Sequence, residues 1–283
     1  MSAFSVSIDY LSMPATTSVD ELLYGDVTAA LEGKKWQSWD VCIYDCIVKS
    51  KELINKVEDF NTPLVWLLPA LSYQSELKQL LESSLKQLYP DHVEHLLFYG
   101  VTSAHVAVAL TKKNHWKKVN IIALDATFKA DASGQYSYQG VGGVFATLEA
   151  KKIGWSQVNY EITPSIDFVK HNQLNGMFTR VAEQAQQSID IIFAPGNGIN
   201  HDSEVWLNDL QLLSALINEQ THYELPNYKL GQIGALEGVV NLYQLATSPV
   251  IENHCKHALM ISQEQAKHQA VASYLWISEE AHN

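Results

Sequence analysis

Apolar and polar positions alternate along the first stretch, Phe4 to Leu11, with the period of two that a half-buried strand shows. Thr17 and Ser18 then precede residues 19–32, whose acids fall in the first turn, as at a helix start. Thr62 to Leu71, "TPLVWLLPAL", is nearly unbroken in apolar character, which predicts a strand covered on both faces. Apolar residues at helical spacing follow in "SELKQLLESSLKQL", and then "VEHLLFYG", "VTSAHVAVALTKK" and "KVNIIALDA" read as strand, helix and strand. "YQGVGGVFATLEA" and "WSQVNYEI" look like a pair of strands.

After these the succession starts again. "NQLNGMFTRVAEQAQQ" is an amphipathic helix, "IDIIFAPG" a buried strand, "DSEVWLNDLQLLSALI" a helix and "HYELP" a short strand. "GALEGVVNLYQLA" is a helix of small residues, and "HALMIS" and "QAVASYLWIS" close the chain as strands. Alternating elements predict a layered α/β protein. The recurrence of strand, glycine-led turn, Ala-rich helix and strand predicts a duplicated fold, divided as 1–164 and 165–283. No Pro/Gly/Ser linker separates the halves, so they are expected to pack as one body.

Composition narrows the classes. A length of 283 residues suffices for a full core without metal or disulfide. The net charge of −12 argues against nucleic acid or anionic lipid held by bulk electrostatics. Three cysteines, Cys42, Cys46 and Cys255, sit among apolar residues and read as reduced core thiols. The start of the chain has neither a basic segment nor a sustained apolar one, and no apolar run reaches the roughly 20 residues of a membrane span. A soluble, cytoplasmic protein is expected.

Four segments carry a resemblance. "IIFAPGNGINHDSEVW" is similar to the ketosynthase pattern of an apolar strand ending in Ala-His-Gly-Thr-Gly-Thr, with Asp and Glu opening a helix; here these are Ala194, Pro195, Gly196, Asn197, Gly198 and Ile199, then Asp202 and Glu204. "GQIGALEG" resembles Gly-His-Thr-x-Ala-Ala-Ala-Gly at Gly231, Ala235 and Gly238. "ALDATFKADASGQYSYQGVGGVFATLE" resembles the family's strand ending in Asp, glycine-rich loop and hairpin. "SIDYLSMPATTSVDELLYGDVTAAL" resembles its opening strand, turn and helix.

The resemblance implies a thiolase-like fold: two pseudo-repeated βαβαβ halves in five layers, α-β-α-β-α, working as a dimer, here with a reduced cap region. Condensation in that family requires a cysteine at a helix N-terminus, where amide dipoles favour the thiolate. Two histidines then donate to the developing oxyanion, and a lysine completes the set. Carried onto this chain, the cysteine position falls on Gly100 or Val101, the first histidine on Pro195, the second on Gln232 and the lysine on Asn227, with Lys229 close by. All four are absent.

The chain is therefore expected to be no enzyme by itself. It resembles a chain length factor, the inactive partner of an active ketosynthase, and its short length is similar to the version found with aryl polyene systems. The partners implied are that ketosynthase in a heterodimer and, through the complex, an acyl carrier protein, with no cofactor and no metal. The strand before the elbow is expected at the subunit boundary, with Leu96, Leu97, Phe98, Tyr99, Thr102 and His105 as interface and tunnel residues and Tyr99, rather than Phe98, facing the tunnel.

Other features invite sharper readings. Ser103 and His105 stand two apart on one helix, where side chains diverge, although an acyltransferase or thioesterase with a relocated site at Ser103, Cys42 or Cys46 is the alternative function. His254 and His257, with His268 nearby, lack a second pair at metal-ligand spacing and read as surface or edge residues. "GVGGVF" lacks the Gly-Lys-Ser/Thr of a phosphate loop and reads as a glycine-kinked strand. Asp202 and Glu204 are expected to cap a helix, and Asp125 to accept a turn hydrogen bond.

Overall fold

A computed structural model describes residues 2–14, 16–25, 38–71, 74–130, 136–164, 174–185, 187–196, 202–264 and 268–278. In chain order its elements are β1 (Ala3–Ser12), α1 (Val19–Tyr24), α2 (Trp39–Ile54), β2 (Leu64–Leu67), α3 (Ser75–Leu88), β3 (His95–Leu97), α4 (Ser103–Lys113), β4 (Lys118–Ala130), β5 (Tyr136–Lys151) and β6 (Gly154–Pro164). The second run comprises α5 (Leu174–Gln184), β7 (Ile191–Phe193), α6 (Asp202–Asp209), β8 (His222–Glu224), α7 (Pro226–Leu230), α8 (Ala235–Thr247), α9 (Pro249–His254), β9 (His257–Glu264) and β10 (His268–Ile277).

The strands form one ten-stranded sheet in the order β3-β2-β4-β5-β1-β6-β10-β9-β7-β8. Its two sides repeat each other. β2 is parallel to β3 and β4, and β5 runs antiparallel between β4 and β1. β7 is likewise parallel to β8 and β9, and β10 runs antiparallel between β9 and β6. Among the described residues, the ladder between the two sets consists of the pair Phe4↔Trp155. β6 pairs along its length with β10, so it belongs to the second set, and the boundary expected after Pro164 lies at its far end.

Three apolar clusters define five layers. The central one joins α4 (Ala104, Ala107, Val108) and α8 (Leu236, Val239, Val240) to one face of both strand sets, including Val65, Leu67, Ile191 and Phe193. An outer cluster packs α2 and α3 on Trp66, Leu68, Ile122 and Leu124. The other packs α5 and its neighbours on Ile192, Leu259, Ile261 and Val271. In β2, Leu64 and Trp66 face outward while Val65 and Leu67 face the centre, because successive strand side chains point to opposite faces. Both faces being covered, the run is apolar throughout.

Two expectations need correction. "YQGVGGVFATLEA" and "WSQVNYEI" are both strands, but β1 lies between them and they do not pair. The helix expected over 19–32 ends at Tyr24, with Gly25 as its C-cap; the rest of that span, like the loop at 131–135, is outside the described residues. The glycine-kinked strand has a bulge where the β4–β5 register shifts between Thr127 and Phe128, opposite Gly140 and Tyr138. Among the described residues, no helix is long and apolar enough to cross a membrane.

Candidate functional site

Two elbows lead into the two central helices. In the first, β3 continues through Phe98 and Tyr99 to Gly100, which has φ of +56°, and a 3-10 turn, Gly100–Thr102, opens α4. Only glycine takes this left-handed region without a Cβ penalty, and Gly100 occupies that corner while Val101 follows it in the 3-10 turn. The turn is cross-braced. Gly100 N donates to Leu68 O at 3.1 Å, Thr102 Oγ1 donates to Tyr99 O at 2.8 Å, and Ser103 Oγ donates to Leu97 O and accepts from Tyr99 N, each at 3.2 Å. Ser103 is fully buried, so its hydroxyl is a brace.

In the second elbow, Gly231 (φ +74°), Gln232, Ile233 and Gly234 (φ +53°) precede α8. The loop is strapped to the end of β4, where Phe128 N donates to Gln232 O and Gln232 N donates to Phe128 O, both at 2.8 Å. Asp125, buried near the end of β4, accepts from Ala126 N at 2.7 Å through Oδ1 and from Ala235 N at 2.8 Å through Oδ2. Its carboxylate therefore sits on the positive end of α8. At Gly238 an added Cβ would lie 2.6 Å from Ala104 Cβ and 2.7 Å from Val101 O, so the helix approaches the first elbow as closely as a side-chain-free backbone allows.

The remaining positions that the resemblance singled out lie in the second half. Pro195 follows β7 and is buried, with neither an N–H nor a side-chain donor. Asn227 lies in α7, where its carbonyl accepts from Gly231 N at 3.0 Å and its buried side-chain Oδ1 has no hydrogen-bond partner among the described residues. The side chains of Lys229, Asp202 and Glu204, and all of Asn197, Gly198 and Ile199, are outside the described residues.

The expected interface residues separate by burial. Leu97 belongs to the central core and Phe98 to the outer one, where Lys78 Nζ stands 5.2 Å from its ring centre. Leu96 is half-buried, and Tyr99 is 37% exposed. Thr102 and His105 are interior. His105 Nδ1 is 2.7 Å from Tyr274 Oη and its Nε2 3.0 Å from Ser262 Oγ, while Gln157 Nε2 donates to Tyr274 Oη and to His105 O. This polar knot ties α4 to β6, β9 and β10. Burial pushes the His105 pKa down to about 4 and that of Tyr274 up, so both stay neutral at pH 7.

Sequence reasoning missed two links. His268 is buried at the start of β10, with its ring edge-on to Tyr99 at 5.4 Å, so the second half touches the first elbow. His257 is also buried, its Nδ1–H facing the Gln187 and Ser188 carbonyls and its Nε2 2.8 Å from Ser273 Oγ. Neither is the surface residue expected, because each begins a strand covered on both faces. Among the described residues, no three His, Cys, Asp or Glu side chains gather as a metal site.

No family model matches the chain, and no curated protein matches it by sequence. Solved structures do match in fold. The oxazolomycin ketosynthase domain of Streptomyces albus JA3453 aligns over 98% of this chain and 96% of its own, with a TM-score of 0.58 at 10% identity. The ketosynthase of module 1 of the bacillaene synthase from Bacillus amyloliquefaciens FZB42 aligns over 97% and 76%, with 0.57 at 11%. The ishigamide ketosynthase/chain length factor aligns over 97% and 100%, with 0.55 at 13%. At such identities the likeness is one of architecture, and with the repeated sheet order and the two buried elbow helices it establishes that this chain has the thiolase-like fold of the ketosynthases.

Proposed function

We propose that the chain is a non-catalytic chain length factor, which pairs with an active ketosynthase and shapes its acyl tunnel during polyketide or fatty-acid-like elongation. The observation that carries this reading is Gly100: the residue at the left-handed corner before α4, where the family's nucleophile would stand, has no side chain. Helix amides can favour a thiolate only where a thiol is present. At the second elbow, Gln232 stands where the resemblance places a histidine, and Asp125 accepts from the first amide of α8. Pro195 supplies no donor in place of a histidine.

The partner surface in this reading is the edge formed by β3. Among the described residues it pairs on one side only, with β2, and it leads to the exposed ring of Tyr99. Leu96 and Tyr99 make the contact, and Leu97, Phe98, Thr102 and His105 support it from inside. An acyl carrier protein would meet the complex through the ketosynthase. The short spans between matched segments favour an aryl polyene system, and strand pairing favours dividing the two halves just before Gly154. The alternative, an acyltransferase or thioesterase using Ser103, Cys42 or Cys46, has less support. All three are buried, and contact with Cys42, together with burial, holds Cys46 well above the usual thiol range.

The test is to co-express the chain with a cysteine-bearing ketosynthase, expose the purified complex to an acyl thioester, and take intact masses. An adduct confined to the partner is expected. A stoichiometric adduct on this chain overturns the proposal.

A further inference from the structure

We infer that the end of the molecule opposite the elbows carries a binding site for a small organic anion, an inference independent of the function proposed above. The eleven residues of α4 span about 16 Å at 1.5 Å per residue. At its far end, a cavity of about 190 Å³ opens between the last turn of the helix, the start of β1 and the end of β5. Its walls include Phe4, Val108, Leu148 and Ala150, and its polar groups include Lys112, His115 and Lys117. No aspartate or glutamate lines it, although the chain carries a net charge of −12. Two lysines thus line a cavity free of acidic side chains in a protein of negative net charge.

The helix end is built at a cost. His115 has φ of +54° and is the one non-glycine residue with positive φ among those described. Its N–H bonds Lys112 O at 3.2 Å, and Trp116 N–H bonds Thr111 O at 3.1 Å, the paired bonds of a Schellman cap. Glycine is the usual residue at that corner, and a β-substituted one is strained there. These bonds occupy two of the helix's terminal carbonyls, which would otherwise repel an anion. Lys112 Nζ donates to Gln157 O at 3.2 Å, which holds the ammonium at the cavity and leaves two of its three protons to donate. A strained histidine and a tethered lysine therefore converge on one cavity.

Ligand size and chemistry follow from the walls. The volume is below the roughly 300–1,000 Å³ of pockets for drug-sized molecules, so the occupant is smaller. The apolar walls suit a compact aromatic or aliphatic body, and the cationic mouth suits its anionic head. Carboxylates and phosphate monoesters share that chemistry.

The test uses the full chain at low ionic strength, titrated calorimetrically with phenyl phosphate, benzoate and benzyl alcohol. Saturable one-to-one binding of an anion, with benzyl alcohol weaker, is expected; the tighter anion identifies the head group. Lys112→Met with Lys117→Met, both exposed positions, should weaken binding about tenfold or more. His115→Gly should weaken binding while the thermal midpoint holds or rises, because glycine relieves the corner. The inference is overturned if neither anion saturates, if benzyl alcohol binds as well as the anions, if the double lysine variant keeps its affinity, or if His115→Gly lowers the midpoint.

Discussion

A methyl group at Gly234 would lie 2.1 Å from Asp125 Oδ2, at a backbone φ of +53°. Gly234→Ala therefore combines left-handed strain with eviction of the carboxylate that caps α8. We expect a loss of at least about 2 kcal/mol in urea unfolding, the sum of roughly 1 for the cap and 1–3 for the strain. Asp125→Asn keeps an oxygen for Ala235 N and should cost less than Asp125→Ala; equal costs would mean that the cap is not what the aspartate provides. The capping role was only half legible in the sequence. A strand-ending aspartate with a turn hydrogen bond was expected, but Asp125 lies within β4, five residues before its end, where it accepts from the next N–H of the strand, and its other partner lies 110 residues along the chain. The left-handed corner at Gly100 was equally out of reach, since nothing in the residues themselves says which of two neighbours takes the positive φ.

At the scale of elements, β3 and its continuation put Phe98 and Tyr99 in different surroundings. Phe98→Ala removes a buried ring and should cost the roughly 3–5 kcal/mol of such truncations. Tyr99→Ala loses an edge-to-face contact with His268, worth about 1 kcal/mol. If the proposed pairing is correct, Tyr99→Ala alters product length in the complex while leaving the fold intact. A change in thermal midpoint without a change in product length would make Tyr99 structural only. Most strands and helices were legible because their faces are sorted cleanly, as in α3. The helix α2 was not, because exposed Val41, Tyr44 and Val48 stand opposite buried Ile43, Cys46 and Leu53, and apolar residues on both faces erase the period. The neighbours of β5 were missed for another reason: β1, which separates it from β6, comes more than a hundred residues earlier, and local pattern carries no record of such pairing.

For the molecule as a whole, the polar knot around His105 joins α4 to the second strand set and makes stability depend on pH. Unfolding returns the imidazole from a pKa of about 4 to its ordinary 6.5, so the unfolded chain binds more protons between those values. Stability is then complete above about pH 6.5 and falls as the pH drops towards 4, by about 3 kcal/mol at 1.36 kcal/mol per unit. His257, also pushed down by burial, adds in the same direction. Urea titrations across this range check the slope, and His105→Asn should flatten it; an unchanged slope would place the acid sensitivity elsewhere. The sheet has a further consequence through its two ends. β3 and β8 are counterparts in the repeat, so a chain with one such edge at each end has what an endless head-to-tail polymer requires. Yet the edges differ: β3 offers His95, Leu96 and Leu97, whereas β8 offers His222, Tyr223 and Glu224, with His222 and Tyr223 exposed. A charged, hydrated rim of three residues is a poor template for another strand. If the proposed pairing through β3 is correct, growth stops at the β8 end and the assembly closes as a pair. Replacing His222 and Glu224 with valine should remove the stop, which sedimentation velocity would register as species larger than a dimer.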